Sequence, residues 1–404
     1  MPDAERTERI QRALAAEKLD AVVCALPVYV LLLTGYWPVV GTSVAVATSD
    51  GRRVLLVPED EKKLAAVNEA DELRTYRPSS LDRVQSVAQA AATPLRQILR
   101  DLKLTCARVG YELGPASEPA SYAAMHLFGG SMVTLLREAA PANALAPADE
   151  LLSRLAAVKT PAEIERIRTA CRIAGAAFEQ GQAHLRPGLQ ETEAAELFRA
   201  PVVVIGNAWP GVQRADGFAW CMSGPNSAGA SGAFARSTSR KIAAHEFLLV
   251  HCNSHADGCW TDITRTYVLG ALNSRQRGLY DAVFAARAAA LAVIRPGARA
   301  ADVDRAARDV MRSRGLEQAF RHSTGHGIGF ASISANALPR IHPHSEDVLE
   351  SGMVFNVEPA AYFDGYGGLR HCDVVAVAAS GAALLTPFQQ TGADMVLDRA
   401  PAAA

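Results

Sequence analysis

The sequence predicts an α+β protein of two domains, and three observations carry that prediction. The chain has 404 residues, more than one domain of ordinary size holds. Up to about residue 140, helix and strand signals alternate, as in a small α/β domain. Beyond about residue 150, long helical stretches mix with short apolar β-runs, which is the pattern of an α+β layer packing.

The elements follow in order. Glu5 to Leu19 reads as an amphipathic helix and Asp20 to Leu26 as a buried strand. Ser43 to Ala47 and Arg53 to Val57 are strand-like and flank the turn signal Ser49-Asp50-Gly51; Ala107 to Tyr111 is a further short strand. Ala139 to Pro147, rich in Ala and Pro, reads as the linker, giving domains at 1–145 and 150–404. Thr160 then offers a helix N-cap, with Pro161 at the first helical position and Glu163 completing a capping box. Ile164, Ile167, Cys171, Ala174 and Phe178 recur at helical spacing. Ser274 to Ile294 and Ala300 to Arg314 read as further helices, and Phe247 to Val250, Met353 to Val357 and Val374 to Val377 as strands.

Composition excludes several classes of function. The chain is 49% hydrophobic and 21% charged, so it is neither disordered nor fibrous. Its 41 basic and 42 acidic residues leave a net charge of −1, which argues against nucleic-acid or anionic-membrane partners. Met1 to Arg9 has no apolar core of a secretory signal, and the longest apolar run, Ala21 to Leu33, is broken by Pro27 and too short to span a bilayer. Seven cysteines without a CxxC pair suit a reducing cytoplasm.

Three stretches concentrate metal-ligating side chains: His251 to Thr266, His322 to Phe330, and Asn356 to Asp373. Singly, a His or Asp beside glycines is more often a turn residue than a ligand. Their order and spacing resemble the superfamily of creatinase, prolidase, aminopeptidase P and methionine aminopeptidase, which shares the pita-bread fold. Thr261 to Thr266, Gly325 to Gly329 and Glu358-Pro359 resemble its catalytic core. Leu33 to Tyr36 and the Lys159-Thr160-Pro161 helix start resemble its creatinase-type N-terminal domain and junction. The resemblance implies a hydrolase acting on an amide or other C–N bond of a small molecule or short peptide, and a homodimer.

Metallopeptidases of that superfamily hold two ions with two Asp, one His and two Glu. Carried over by position, Asp262, His326 and Glu358 match in type, whereas His251 stands for the first Asp and Cys372 for the last Glu. Losing two bridging or chelating carboxylates removes the negative charge that holds two hard cations together. The expectation is one divalent ion on Asp262, His326 and Glu358, with His251 and Cys372 as softer ligands that favour Zn or Fe over Mn or Co. Two alternatives stay open: metal-free chemistry by a Cys372/His251 pair, and a binding protein that has lost catalysis and needs no ion. Arg370 and Arg265 either pair with site carboxylates or grip a substrate carboxylate.

Proline-specific relatives carry a His after a Ser-Gly-Pro-Asn stretch. Here Ser223 to Asn226 is followed by no His before His245, and Ala331 to Pro339 lacks one too. His245-Glu246 and His251 have the wrong spacing for a zincin helix. Asn253-Ser254 suggests a turn between His251 and His255. His342 and His344 read as exposed loop residues, and Cys24 and Cys171 as core.

Overall fold

A computed structural model of the chain describes residues 3–39, 43–78, 87–113, 129–231, 236–331 and 337–398. Residues 232–235 and 332–336, which fall in the two His-poor stretches above, lie outside that set. The chain divides into two compact units, Met1–Ala156 and Ala157–Ala404.

The first unit comprises α1 (Ala4–Ala16), β1 (Ala21–Cys24), α2 (Pro27–Thr34), β2 (Val44–Thr48), β3 (Arg53–Pro58), β4 (Glu72–Tyr76), α3 (Val87–Asp101), β5 (Arg108–Tyr111), α4 (Gly129–Ala139), β6 (Ala144–Pro147) and α5 (Asp149–Ala157). One mixed sheet runs in the order β4-β3-β2-β1-β5-β6. Pro27 does not merely interrupt the apolar run; it starts α2, where its missing N–H costs no hydrogen bond. The Ala- and Pro-rich segment read as a linker is instead the end of α4 and the edge strand β6, parallel to β5. Pro suits a sheet edge because nothing there needs its N–H.

The second unit begins with α6 (Pro161–Ala183), where Thr160 and Glu163 form the expected reciprocal cap. Then come α7 (Glu191–Asn207), β7 (Ala215–Ser223), β8 (Phe247–Ala256), β9 (Cys259–Leu269), α8 (Ser274–Val293), α9 (Ala300–Ser313), β10 (Gly325–His326), β11 (Arg340–Ile341), β12 (Val354–Val357), β13 (Ala360–Phe363), β14 (Gly367–Arg370), β15 (Asp373–Ala378), β16 (Gly381–Leu384) and β17 (Val396–Leu397). The main sheet is ordered β17-β9-β8-β7, and β12-β15-β16 forms a second. Leu248, Val250, Ile263 and Tyr267 from the long strands join Phe178, Phe198 and Val283 from the helices in one apolar core.

The strand predicted at Phe247 to Val250 continues to Ala256, so Asn253-Ser254 is not a turn. The reversal lies at Asp257-Gly258, both with positive φ (47° and 80°). Asp-Gly is a preferred pair for such a two-residue hairpin. This tight turn sets the β8/β9 register and with it the site.

Candidate metal centre

Strand alternation puts one face of β8 and β9 at the site. In register, Trp220 of β7 pairs with His251, His251 with Thr264, and Asn253 with Asp262. An isolated bridge from Thr264 to Cys372 brings in the segment between β14 and β15. Glu358 follows β12, its N–H bonded to the Thr324 carbonyl at 2.8 Å. His326 arrives on β10 between Gly325 and Gly327, where a Cβ would collide with the Asn356 and Leu338 carbonyls.

These elements gather four of the predicted ligands. Donor atoms of Asp262, Glu358 and Cys372 lie within 4.8 Å of one another, all buried. His326 Nε2 lies 3.5 Å from Asp262 Oδ2. His251 is adjacent, with Nδ1 3.6 Å from Asp262 Oδ1, but that nitrogen also receives Arg370 Nη2 at 2.7 Å and faces the Thr264 hydroxyl at 3.0 Å. Arg370 further bonds Thr264 Oγ1 through Nε at 3.0 Å and approaches Glu358 Oε2 at 3.7 Å through Nη1. No hydrogen bond joins Cys372 to His251 among the described residues; the thiol donates to the Asp262 main-chain oxygen at 3.1 Å.

Burial governs the protonation of the cluster. It raises Glu358, which the Arg370 guanidinium only partly offsets, and it drives the Cys372 thiol well up, with Asp262 and Glu358 adding to the effect. Asp262 moves down: burial opposes its charge, but His251, His326 and Arg370 outweigh that. His251 falls to about 4, chiefly through burial. For His326 burial works downward, yet the Asp262 and Glu358 carboxylates raise it to about 9.

Not every flagged residue joins the site. Arg265 is fully buried on the opposite face of β9, bonded to the Cys372 carbonyl at 2.6 Å and to Asp373 Oδ1 at 2.7 Å, so no substrate carboxylate reaches it. Arg287 Nε donates to Asp373 Oδ2 at 2.5 Å and completes that network. His322 bonds Tyr362 Oη at 2.9 Å. His342 and His344 are exposed, and Cys24 and Cys171 are core. Trp220, Asn253, Thr264 and Asn356 border the cluster although the sequence reading did not single them out. Thr264 and Asn253 carried a signal, since each stands two places after a flagged residue on the same strand face.

The donor set can be tested against a cation directly. His326 Nδ1 faces the Gly327 carbonyl at 3.1 Å, and Asn356, whose Oδ1 accepts the His326 N–H at 2.6 Å, turns its Nδ2 to His326 Nε2 at 3.2 Å. The carboxylates pull a proton onto Nε2 while the Asn356 donor opposes it. A cation among Asp262, Glu358 and Cys372 removes that conflict, and a backbone-anchored Nδ1–H is how metal-binding histidines are oriented. The donor set fits a divalent cation, and the Arg370 guanidinium takes the His251 Nδ1.

Comparison with known proteins identifies the family. The metallopeptidase family M24 model matches residues 165–379, and the creatinase/prolidase N-terminal domain model matches residues 6–158. The Xaa-Pro dipeptidase of Pyrococcus furiosus is 28% identical over 386 residues, covering 96% of this chain and 99% of that protein. The probable dipeptidase PepE of Mycobacterium tuberculosis is 30% identical over 331 residues, covering 76% and 84%. The crystal structure of dipeptidase PepE from Mycobacterium ulcerans matches with a TM-score of 0.73 at 25% identity, over 98% of each chain. The chain therefore belongs to metallopeptidase family M24 and is a hydrolase of that pita-bread superfamily, with a creatinase-type N-terminal domain.

Proposed function

We propose that the protein hydrolyses an amide bond of a short peptide or other small amide, using one divalent ion held by Asp262, His326, Glu358 and Cys372. The observation that carries this reading is the convergence of three donor side chains within 4.8 Å beside His326. With Asp262, Glu358 and Cys372 ionised and Arg370 cationic, the net charge is cancelled by one divalent ion and overcompensated by two. A buried thiolate among the donors favours Zn or Fe. Bound there, such an ion supplies Lewis acidity toward a carbonyl oxygen and activates water. Glu358 would hold the ion through its carboxylate, which Arg370 approaches at 3.7 Å.

The names of the relatives point to dipeptides, but proline specificity is not part of the proposal, because no His lies between Asn226 and His245. All seven cysteines are free, which suits the cytoplasmic setting proposed here. No helix among the described residues is long and apolar enough to cross a membrane. The homodimer remains part of this reading as the superfamily resemblance implies it. Against the metal-free alternative, Cys372 would have to ionise where burial and two carboxyl groups oppose it.

Elemental analysis of protein purified without chelators, joined to a hydrolysis screen of dipeptides and small amides, tests the proposal. The expected result is about one Zn or Fe per chain, and for Asp262→Asn both an emptied site and a fall in hydrolysis of at least about 10³-fold. No metal after reconstitution and no hydrolysis would overturn it. Two ions per chain would overturn the single-ion part.

A further inference from the structure

Two histidines border Asp262, and their hydrogen bonds make them chemically different. His326 presents Nδ1 to a carbonyl oxygen, the Gly327 O at 3.1 Å, which only accepts. Its Nδ1 therefore carries hydrogen, and Nε2 is the ring nitrogen turned to Asp262.

His251 is the reverse. Its Nδ1 meets Arg370 Nη2 at 2.7 Å. A guanidinium has five donors and no acceptor, so Nδ1 must accept, and the ring hydrogen is assigned to Nε2. An imidazole whose lone pair is already engaged, and whose other nitrogen carries hydrogen, has nothing to offer a cation. Thr264 Oγ1 at 3.0 Å also faces Nδ1, and the Trp220 ring lies parallel to the imidazole, 5.4 Å away at 6°. The Asn253 amide is near enough to influence the ring, yet neither its Oδ1 nor its Nδ2 completes a hydrogen bond. His251 is 6% exposed, and Nε2 is the ring nitrogen that Arg370 and Thr264 leave uncovered.

We infer that His251 is not a metal ligand but a fixed Nε2–H donor to the carbonyl oxygen of the substrate, locked in that tautomer by Arg370. The donor role rests on the hydrolytic reading above; the tautomer does not. Held by its neighbours before substrate arrives, such a donor needs little reorganisation when charge develops on the carbonyl oxygen. Trp220 and Arg370 are positioning residues that act through the ring.

The decisive measurement is long-range ¹H–¹⁵N correlation on metal-loaded protein labelled at histidine nitrogens, with a His251→Gln variant for assignment. His251 is expected to show a protonated Nε2 and an unprotonated Nδ1 untouched by exchange of Zn for Cd, while His326 shows a metal-shifted Nε2. In chelator competition, His251→Gln is expected to keep its metal affinity within about threefold, well under the 10–100-fold that even an outer partner of a ligand is worth. In hydrolysis, His251→Ala should lose about 10²–10³-fold in kcat with little change in KM, and His251→Gln, which retains an N–H, should recover part of it. A metal-shifted His251 nitrogen, or a larger loss of affinity in His251→Gln, overturns the inference. So does an unchanged kcat in His251→Ala while the wild type hydrolyses. Failure of the wild type to hydrolyse any amide overturns the proposed function and the donor role, whereas the NMR and affinity results still decide between ligand and donor.

Discussion

Cys372 and Asp373 are neighbours in sequence and belong to two different buried charge clusters. Cys372 faces Asp262 and Glu358; Asp373 faces Arg265 and Arg287 across the other side of the strand. In the second, the carboxylate is fully countered. Both Asp373 oxygens meet a guanidinium, and the Thr386 hydroxyl adds a bond at 2.7 Å. In the first, a thiol, a second carboxyl and a histidine drawn toward its charged form converge on one carboxylate, with Arg370 at the edge. Equal burial thus yields a structural element where guanidinium groups take up both carboxylate oxygens and a donor cluster fit for a cation where they do not.

The strongest way to break this comparison is Asp373→Asn. Removing one partner of a buried pair leaves two uncompensated guanidinium groups, at a cost of about 3–5 kcal/mol. Urea unfolding should show that loss while the folded fraction retains its metal. A variant that sheds metal with no change in stability would mean the two clusters are not separable in this way.

Glu112 sharpens the comparison from the other unit. It is a buried carboxyl that accepts the Ala25 and Leu26 N–H groups at 2.7 and 3.2 Å, with no ion pair among the described residues, and burial raises it from 4.5 to about 7. Here the missing counter-charge is supplied by a proton. Because the folded-state value is the higher one, the folded protein binds more protons than the unfolded chain between pH 4.5 and 7. Stability from this group is then full below the lower value and is lost as pH rises through the upper one, by about 3 kcal/mol in all. Urea titrations of wild type and Glu112→Gln at several pH values should differ by that slope, and parallel curves would show that Glu112 titrates normally.

The smallest effect concerns Asn356. Asn356→Ala removes the Oδ1 that accepts the His326 main-chain N–H at 2.6 Å and so loosens the aim of His326; metal binding should weaken by about 10–100-fold, read by chelator competition, with unfolding little changed. An unaltered affinity would remove Asn356 from the account of how His326 is aimed.

Much of the site was legible in the chain, because Asp262, His326 and Glu358 each sit in a local pattern that survives without a structure. Cys372 was found by counting from Gly367-Gly368. What escaped was set by contacts distant in sequence. Arg370 reaches His251 across 119 positions, and no local pattern states which imidazole nitrogen it will take. The linker assignment failed for a related reason: Ala144 to Pro147 has weak strand preference and is held as β6 by pairing with β5. The turn was misplaced because Asn253-Ser254 and Asp257-Gly258 both carry turn residues, and only the pairing of β8 with β9 decides between them.

That hairpin has a consequence for how the protein can change. The partnership of Asn253 with Asp262, and of His251 with Thr264, is counted outward from two residues at Asp257-Gly258. Because facing alternates along a strand, slippage by one place would turn Asp262 and Thr264 into the apolar core and bring Ile263 and Arg265 to the cluster in their stead. The chemistry is therefore addressed from a turn several residues away, itself held by the Gln213 and Arg214 N–H groups on the Asp257 carboxylate. Side chains at the cluster can be exchanged one at a time, but a single insertion or deletion at that turn would readdress the whole row at once.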